Sequence, residues 1–304
     1  MAFLFPPQQF FVILDLLIVL IVLTVSITVV VVHFNTPPTL KNFNFCLYNA
    51  VFWLTSSAFF VCVFDRTNPI ILDAEKTLCL VNFPVARLSL SPLMTHTVTV
   101  SLKLNVHTST ILVFFYVIWR RVWFSGRKFL FLLLFTGALH VAVIVAVGFL
   151  TTISATPWES LNTTLLENNG YTAEITRCFR MKRFSPLLTA VAAYSLFTVA
   201  LVLCGIAWKA KQPLKPVKRM LLRTLFLLTL TLVIFFISPN LVATISFYLM
   251  NNSILKVWRL SAVMATLQAV FAFAVILFSI KDYRKHVLRS IRWFRLVKVS
   301  NSSQ

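Results

Sequence analysis

The run LDLLIVLIVLTVSITVVVV, residues 14–32, carries a single charge, that of Asp15, and its reading decides the fold. Its side chains do not alternate between apolar and polar, as those of a barrel strand would. A stretch this apolar crosses a bilayer as a helix of about 20 residues, because lipid offers no partners to unpaired backbone N–H and C=O groups. Working outward, six more stretches pass the same test. Spans are expected near Phe10 to His33, Phe43 to Phe64, Leu93 to Trp119, Phe129 to Ile153, Pro186 to Trp208, Thr224 to Met250 and Val257 to Ile280. With 59% hydrophobic and 12% charged residues, the chain exceeds what the core of a water-soluble domain needs. The expected class is all-α: a seven-transmembrane helix bundle over residues 1–280, then a short amphipathic eighth helix and tail over 281–304. The first run lacks a basic leader and outlasts a signal-peptide core, so it reads as the first span.

Charge predicts the orientation. One set of connecting segments holds Lys41, Arg120, Arg121, Arg127, Lys128, the lysines and arginines of 209–223 and those of 281–298, against the single acid Asp282. The other set carries most of the acids, so positive-inside bias places the N-terminus outside and the C-terminus in the cytoplasm, in a plasma-membrane protein. The formal charge of +20 then reflects topology and attraction to anionic inner-leaflet lipid, and nucleic-acid binding is not read from it. Asn162 lies in a glycosylation sequon on the outer side, whereas Asn251 falls too near the bilayer and Asn301 on the inner side. Cys46, Cys62 and Cys204 fall within spans. Cys79 and Cys178 occupy the two long outer loops, where a bridge between them is expected, the alternative being two free thiols.

Several segments carry a resemblance. LKLNVHTSTILVFFYVIWRR (102–121) sets Asn105, Ser109 and Arg120 at the spacing of the third helix of rhodopsin-like (class A) G-protein-coupled receptors. TPPTLKNFNFCLYN (36–49) resembles that family's first inner loop, with Asn44 and Asn49 in asparagine positions. FFISPN (235–240) places Pro239 where the family kinks helix six, and KDYRKHVL (281–288) is similar to the start of its eighth helix. The chain reads as a divergent or orphan member. The resemblance implies a receptor that signals to a heterotrimeric G protein through movement of helix six hinged near Pro239, with Arg120, Arg121, Lys218, Arg219 and Arg223 on the coupling surface. A homo- or hetero-dimer is compatible with it. Within FFYVIWRRVWFSGRK (114–128), the triplet Trp119-Arg120-Arg121 has Trp119 in place of the acid that restrains the neighbouring arginine in the family, and Arg120 and Arg121 also read as a positive-inside anchor. Leu54 stands where the family has the carboxylate of a sodium site, which removes that site.

Charges inside a membrane suggest function. Lys103 lies in the outer half of the third span, with His107 one turn on along the same helix face. Together with His96, Asn105 and the loop residues Arg177, Arg180, Lys182 and Arg183, they form a positive outer mouth suited to a small anionic ligand. Lys103 could equally snorkel to the headgroups or pair with Asp15. His140 is expected to make an interhelical hydrogen bond. No metal-ligand cluster, cofactor motif or nucleophile–base pair is visible, so an enzyme is not expected. Alternatives to a signalling receptor are a receptor-like protein that acts through a partner, and a transporter or channel. Against transport, seven spans do not divide into equal inverted halves.

Overall fold

Apolar runs of this length leave the backbone one solution, and seven helices take it: α1 (Pro7–Asn35), α2 (Lys41–Val63), α3 (Pro92–Ile118), α4 (Gly126–Ser154), α5 (Met181–Ala210), α6 (Pro216 to Tyr248, in three stretches given below) and α7 (Ile254–Ser279). The computed structural model describes residues 7–37, 40–72, 77–82, 91–119, 126–161, 164–168, 172–248 and 254–290. An eighth helix, α8, follows over 281–290. All seven spans are long and apolar enough to cross a membrane. α3 is the central one: 67% of its most apolar window is buried, against 22–28% for α1, α4 and α5, which face outward.

Local signals set the helix starts. The Ser91 hydroxyl accepts from the Met94 N–H at 3.2 Å and Pro92 follows, a capped start to α3. Lys215 is extended (φ −61°, ψ 149°) before Pro216, which opens α6. That helix therefore begins before Thr224, the expected start, and Lys218, Arg219 and Arg223 ride on its first turns rather than in a loop. Hydropathy misses such a start because the first turns carry charge. For the same reason α5 starts at Met181, not Pro186, which sits inside the helix.

α6 is not a simple proline kink. It runs as an α-helix Pro216–Leu232, widens into a π-helical turn Val233–Ile237 and resumes as Ser238–Tyr248. Pro239 has no N–H to give, and its ring would crowd the preceding turn of a regular helix. The wider turn accommodates it. Side chains add bonds around the turn: the Ser238 hydroxyl donates to Val233 O at 2.8 Å, which also takes the Ser238 N–H, and the Asn240 amide donates to Phe236 O at 2.6 Å.

The connecting loops hold structure that the apolar pattern did not announce. Strands β1 (Thr67–Leu72), β2 (Thr77–Asn82) and β3 (Thr176–Arg180) form an antiparallel sheet in the order β1-β2-β3 at the end of the bundle opposite the basic segments. The register sets Leu78 against Phe179, Leu80 against Arg177 and Cys79 against Cys178. Side chains alternate across a sheet, so Leu78, Leu80, Phe179 and Arg177 share one face. That face packs onto the bundle, where Leu78, Leu80 and Phe179 join Phe184, Leu187 and Trp258 in an apolar cluster. The opposite face holds the Cys79–Cys178 disulfide, covered by Trp158 and Leu161 of the α4–α5 connection. The expected bridge is therefore formed, and it is closed in on both sides.

At the basic end, α8 turns Tyr283 and Val287 to the bundle and leaves Arg284, Lys285 and Arg289 exposed. The remaining positions of the expected apolar stripe, Ile291 and Phe294, lie outside the described residues. The Tyr283 hydroxyl meets Thr36 Oγ1 at 2.7 Å and donates to Asn44 Oδ1 at 3.3 Å, tying α8 to the junction of α1 and α2. Burial pushes this hydroxyl's pKa up to about 12, so it keeps its proton at any physiological pH. Tyr283→Phe keeps the ring and loses only these bonds. It is expected to cost about 0.5–1.5 kcal/mol in thermal unfolding, because Thr36 and Asn44 retain each other at 2.9 Å.

Candidate functional site

The sheet roofs a cavity between α2, α3, α5, α6 and α7 that encloses about 880 Å³, counting its open mouth. Its walls are apolar: Val61, Leu104, Phe184, Leu187, Leu188, Val191, Phe236 and Trp258. A few polar groups are set among them: Asp65, Thr67, His96, Thr99, Lys103, Asn240, Thr244 and Ser261. The face of α3 supplies the central ones, since residues 96, 99 and 103 fall on one side at helical steps of three and four.

Lys103 thus reaches the cavity, as its place in the sequence suggested, but its counter-charge is not Asp15. Asp15 pairs with Arg66, whose Nε also donates to Cys62 O at 2.6 Å, so α1 is clamped to the end of α2. The carboxylate acting on Lys103 belongs to Asp65, which the sequence reading passed over as a loop acid. Asp65 stands just past α2, where its N–H still bonds Phe60 O. Burial holds its carboxyl above the usual carboxylate range, and the Lys103 ammonium pulls it back.

Among the cavity-lining side chains, His96 Nε2 is buried with no hydrogen-bond partner, while the Thr99 and Thr67 hydroxyls serve the Asp65 carboxyl. A polar atom such as His96 Nε2 costs about 1–3 kcal/mol when left unpaired in an apolar setting. Overhead, Phe179 packs 5.1 Å from the His96 ring, and the Arg177 guanidinium acts on the same histidine. Arg177 Nε is buried without a partner, and burial draws its pKa below the usual arginine value.

The other expected ligand residues separate. Arg180 lies on the far face of β3 and donates to Ser160 O at 2.8 Å, away from the cavity. His107 sits one turn below Lys103, with Nδ1 3.0 Å from Lys103 O and its ring edge-on to Phe236 at 4.9 Å, so Phe236 stands between it and the open space. Asn105 turns toward α4. Its Oδ1 lies 2.7 Å from His140 Nδ1, and Asn49 completes the network with Ser109 at 3.0 Å and His140 Nε2 at 3.4 Å. These contacts require the His140 proton on Nδ1 and a lone pair on Nε2, the arrangement of a neutral ring. His140 is thus the interhelical hydrogen-bonding residue that was expected.

At the opposite end, Lys218 is half-buried while Arg219 and Arg223 are exposed on α6, beside Lys209 at the end of α5. Arg120 and Arg121 lie outside the described residues, as does Asn162. Trp119 stacks on Phe115 at 5.2 Å. Among the described residues no group of histidine, cysteine and acidic side chains could hold a metal ion. The sequence matches no protein-family model, and no curated protein aligns with it significantly.

Proposed function

We propose that this chain is a seven-helix receptor that takes a small anionic ligand in the cavity beneath the sheet and passes the signal to a heterotrimeric G protein at the basic, cytoplasmic end. The observation that carries the reading is a mostly apolar cavity with a lysine in its wall and a buried histidine nitrogen, His96 Nε2, that has no hydrogen-bond partner. A ligand with an acidic head and an apolar body pairs with the Lys103 ammonium and fills the remaining space. α6 runs from the cavity, through Phe236, Asn240 and Thr244, to the basic end. Its π-helical turn beside Pro239 gives it a place to bend, so a ligand that prefers one packing of α6 shifts the population toward it. In the membrane, the N-terminus lies outside and α8 rests on the anionic inner leaflet.

Trp119 at the end of α3 favours a second reading, a receptor-like protein that signals only through a partner chain. G-protein dissociation in cells expressing the intact chain or Arg120→Ala separates the two. A basal signal abolished by the substitution supports the first reading; silence with every G protein tested supports the second. For the cavity, Lys103→Ala is expected to weaken a carboxylate ligand about 10- to 100-fold and its amide analogue less than threefold, the worth of one charge-assisted hydrogen bond. Equal losses for both would remove Lys103 from the ligand's partners.

A further inference from the structure

The cavity wall holds one lysine and one carboxylate, and that stoichiometry has a chemical consequence for an acidic ligand. Asp65 and Lys103 both line the space, and of the neighbouring charges it is Lys103 that acts on Asp65. His96 lines the same cavity, where Lys103 also acts on it, and the other charged groups nearby are directed elsewhere. Arg66 is engaged by Asp15, Arg259 lies over the Phe10 ring, and Arg177 acts from the roof on His96. The remaining neighbours of Asp65 from β1 and α3, Thr67 and Thr99, are uncharged, and α6 and α7 bring only neutral side chains to the cavity. An anion that enters therefore competes with Asp65 for a single ammonium. Two anionic groups sharing one cation in a largely apolar space do not both stay ionised at low cost.

We propose that the cavity takes its anion together with one proton, which Asp65 accepts. This inference rests on the anion-receptor reading above. In the empty cavity the Asp65 carboxylate is the counter-charge of Lys103. The entering anion takes over that role, and a proton from solution adds to an Asp65 oxygen. One negative and one positive charge enter together, so the net charge of the cavity is unchanged. Neutral Asp65 then has an O–H to donate to the ligand. The ligand class is a small organic acid with an apolar body, and its occupancy rises as the medium acidifies. The sign follows from linkage: a complex that binds one more proton than its separated parts tightens by up to about tenfold for each pH unit lost.

The test uses the purified full chain in detergent micelles, with thermal-shift titrations of benzenesulfonate, which stays ionised throughout, and of neutral benzenesulfonamide. The intact chain is expected to bind the sulfonate at least about tenfold more tightly at pH 5.5 than at pH 7.5. Asp65→Asn should bind it equally at both, near the intact chain's pH 5.5 affinity, while His96→Asn keeps the slope. A slope that survives in Asp65→Asn, or a pH-independent affinity in the intact chain, overturns the proton coupling and leaves the anion reading standing. No stabilisation by the sulfonate at either pH overturns both. Should Asp65→Asn fail to fold, calorimetry of the intact chain in two buffers of different ionisation enthalpy decides: about one proton taken up per sulfonate supports the coupling, and none rejects it.

Discussion

A chain carrying Cys79→Ser and Cys178→Ser together is expected to lose about 2–5 kcal/mol of stability. The bridge closes a long loop: the cysteines are 99 residues apart, and α3 and α4 lie between them. Cutting it returns that much freedom to the unfolded chain. The folded state loses as well, because Cys79 and Cys178 are 0% and 2% exposed and two serine hydroxyls would be buried between Leu72, Trp158 and Leu161. Thermal unfolding of the purified protein gives the size of the effect. The same burial predicts that the intact protein resists added reductant below its melting temperature and loses the bridge above it. A double variant that melts with the intact chain would mean that the sheet is held in place by its apolar face alone.

The second large effect is expected at Gly205 on α5. A Cβ at this position would sit 2.2 Å from Cε2 and 2.6 Å from Cζ of Phe114 on α3. Phe114 is itself 2% exposed, so its ring has little room to withdraw. Gly205→Val should therefore destabilise by about 1–3 kcal/mol or more through overpacking. Truncating the opposing ring tests the cause: Phe114→Ala in the Gly205→Val background is expected to recover part of the loss, although each change alone is harmful. Gly137→Ala serves as the control. A Cβ there meets nothing within 4 Å, and alanine's better helix propensity makes this variant neutral or slightly stabilising. If both glycine substitutions behaved alike, helix propensity rather than the α3–α5 contact would govern position 205.

The bundle was legible because lipid enforces helices and the apolar runs are long, so all seven spans lie where hydropathy places them. Their ends were less so. Pro216 and Met181 open helices whose first turns are charged, and charge is what a hydropathy reading uses to mark a boundary. The strands escaped notice because β1 and β2 are short and only their register, set by cross-strand pairing, shows which side chains face the bundle. The site was half legible. Lys103 stood out as a charge inside a span, but the carboxylate acting on it lies two residues beyond the end of α2, where acids are commonplace. Arg177, which faces the bundle, and Arg180, which faces away, are separated by the period-two alternation of β3, but nothing in the apolar pattern marked that segment as a strand. Asn105 was misplaced for a related reason: neighbours two apart on a helix point in different directions, so Lys103 and Asn105 serve different networks.

The extra residue in the widened turn of α6 also determines what the cavity wall is made of. Each residue advances a regular helix by about 100°, so inserting one rotates everything beyond it by that amount relative to an uninterrupted helix. Asn240 and Thr244 line the cavity in the rotated setting. Wound regularly from Pro216 onward, the same sequence would turn their amide and hydroxyl away from it and present other side chains instead. The irregular turn thus acts as a phase shift, aligning two stretches of one helix to two different surroundings.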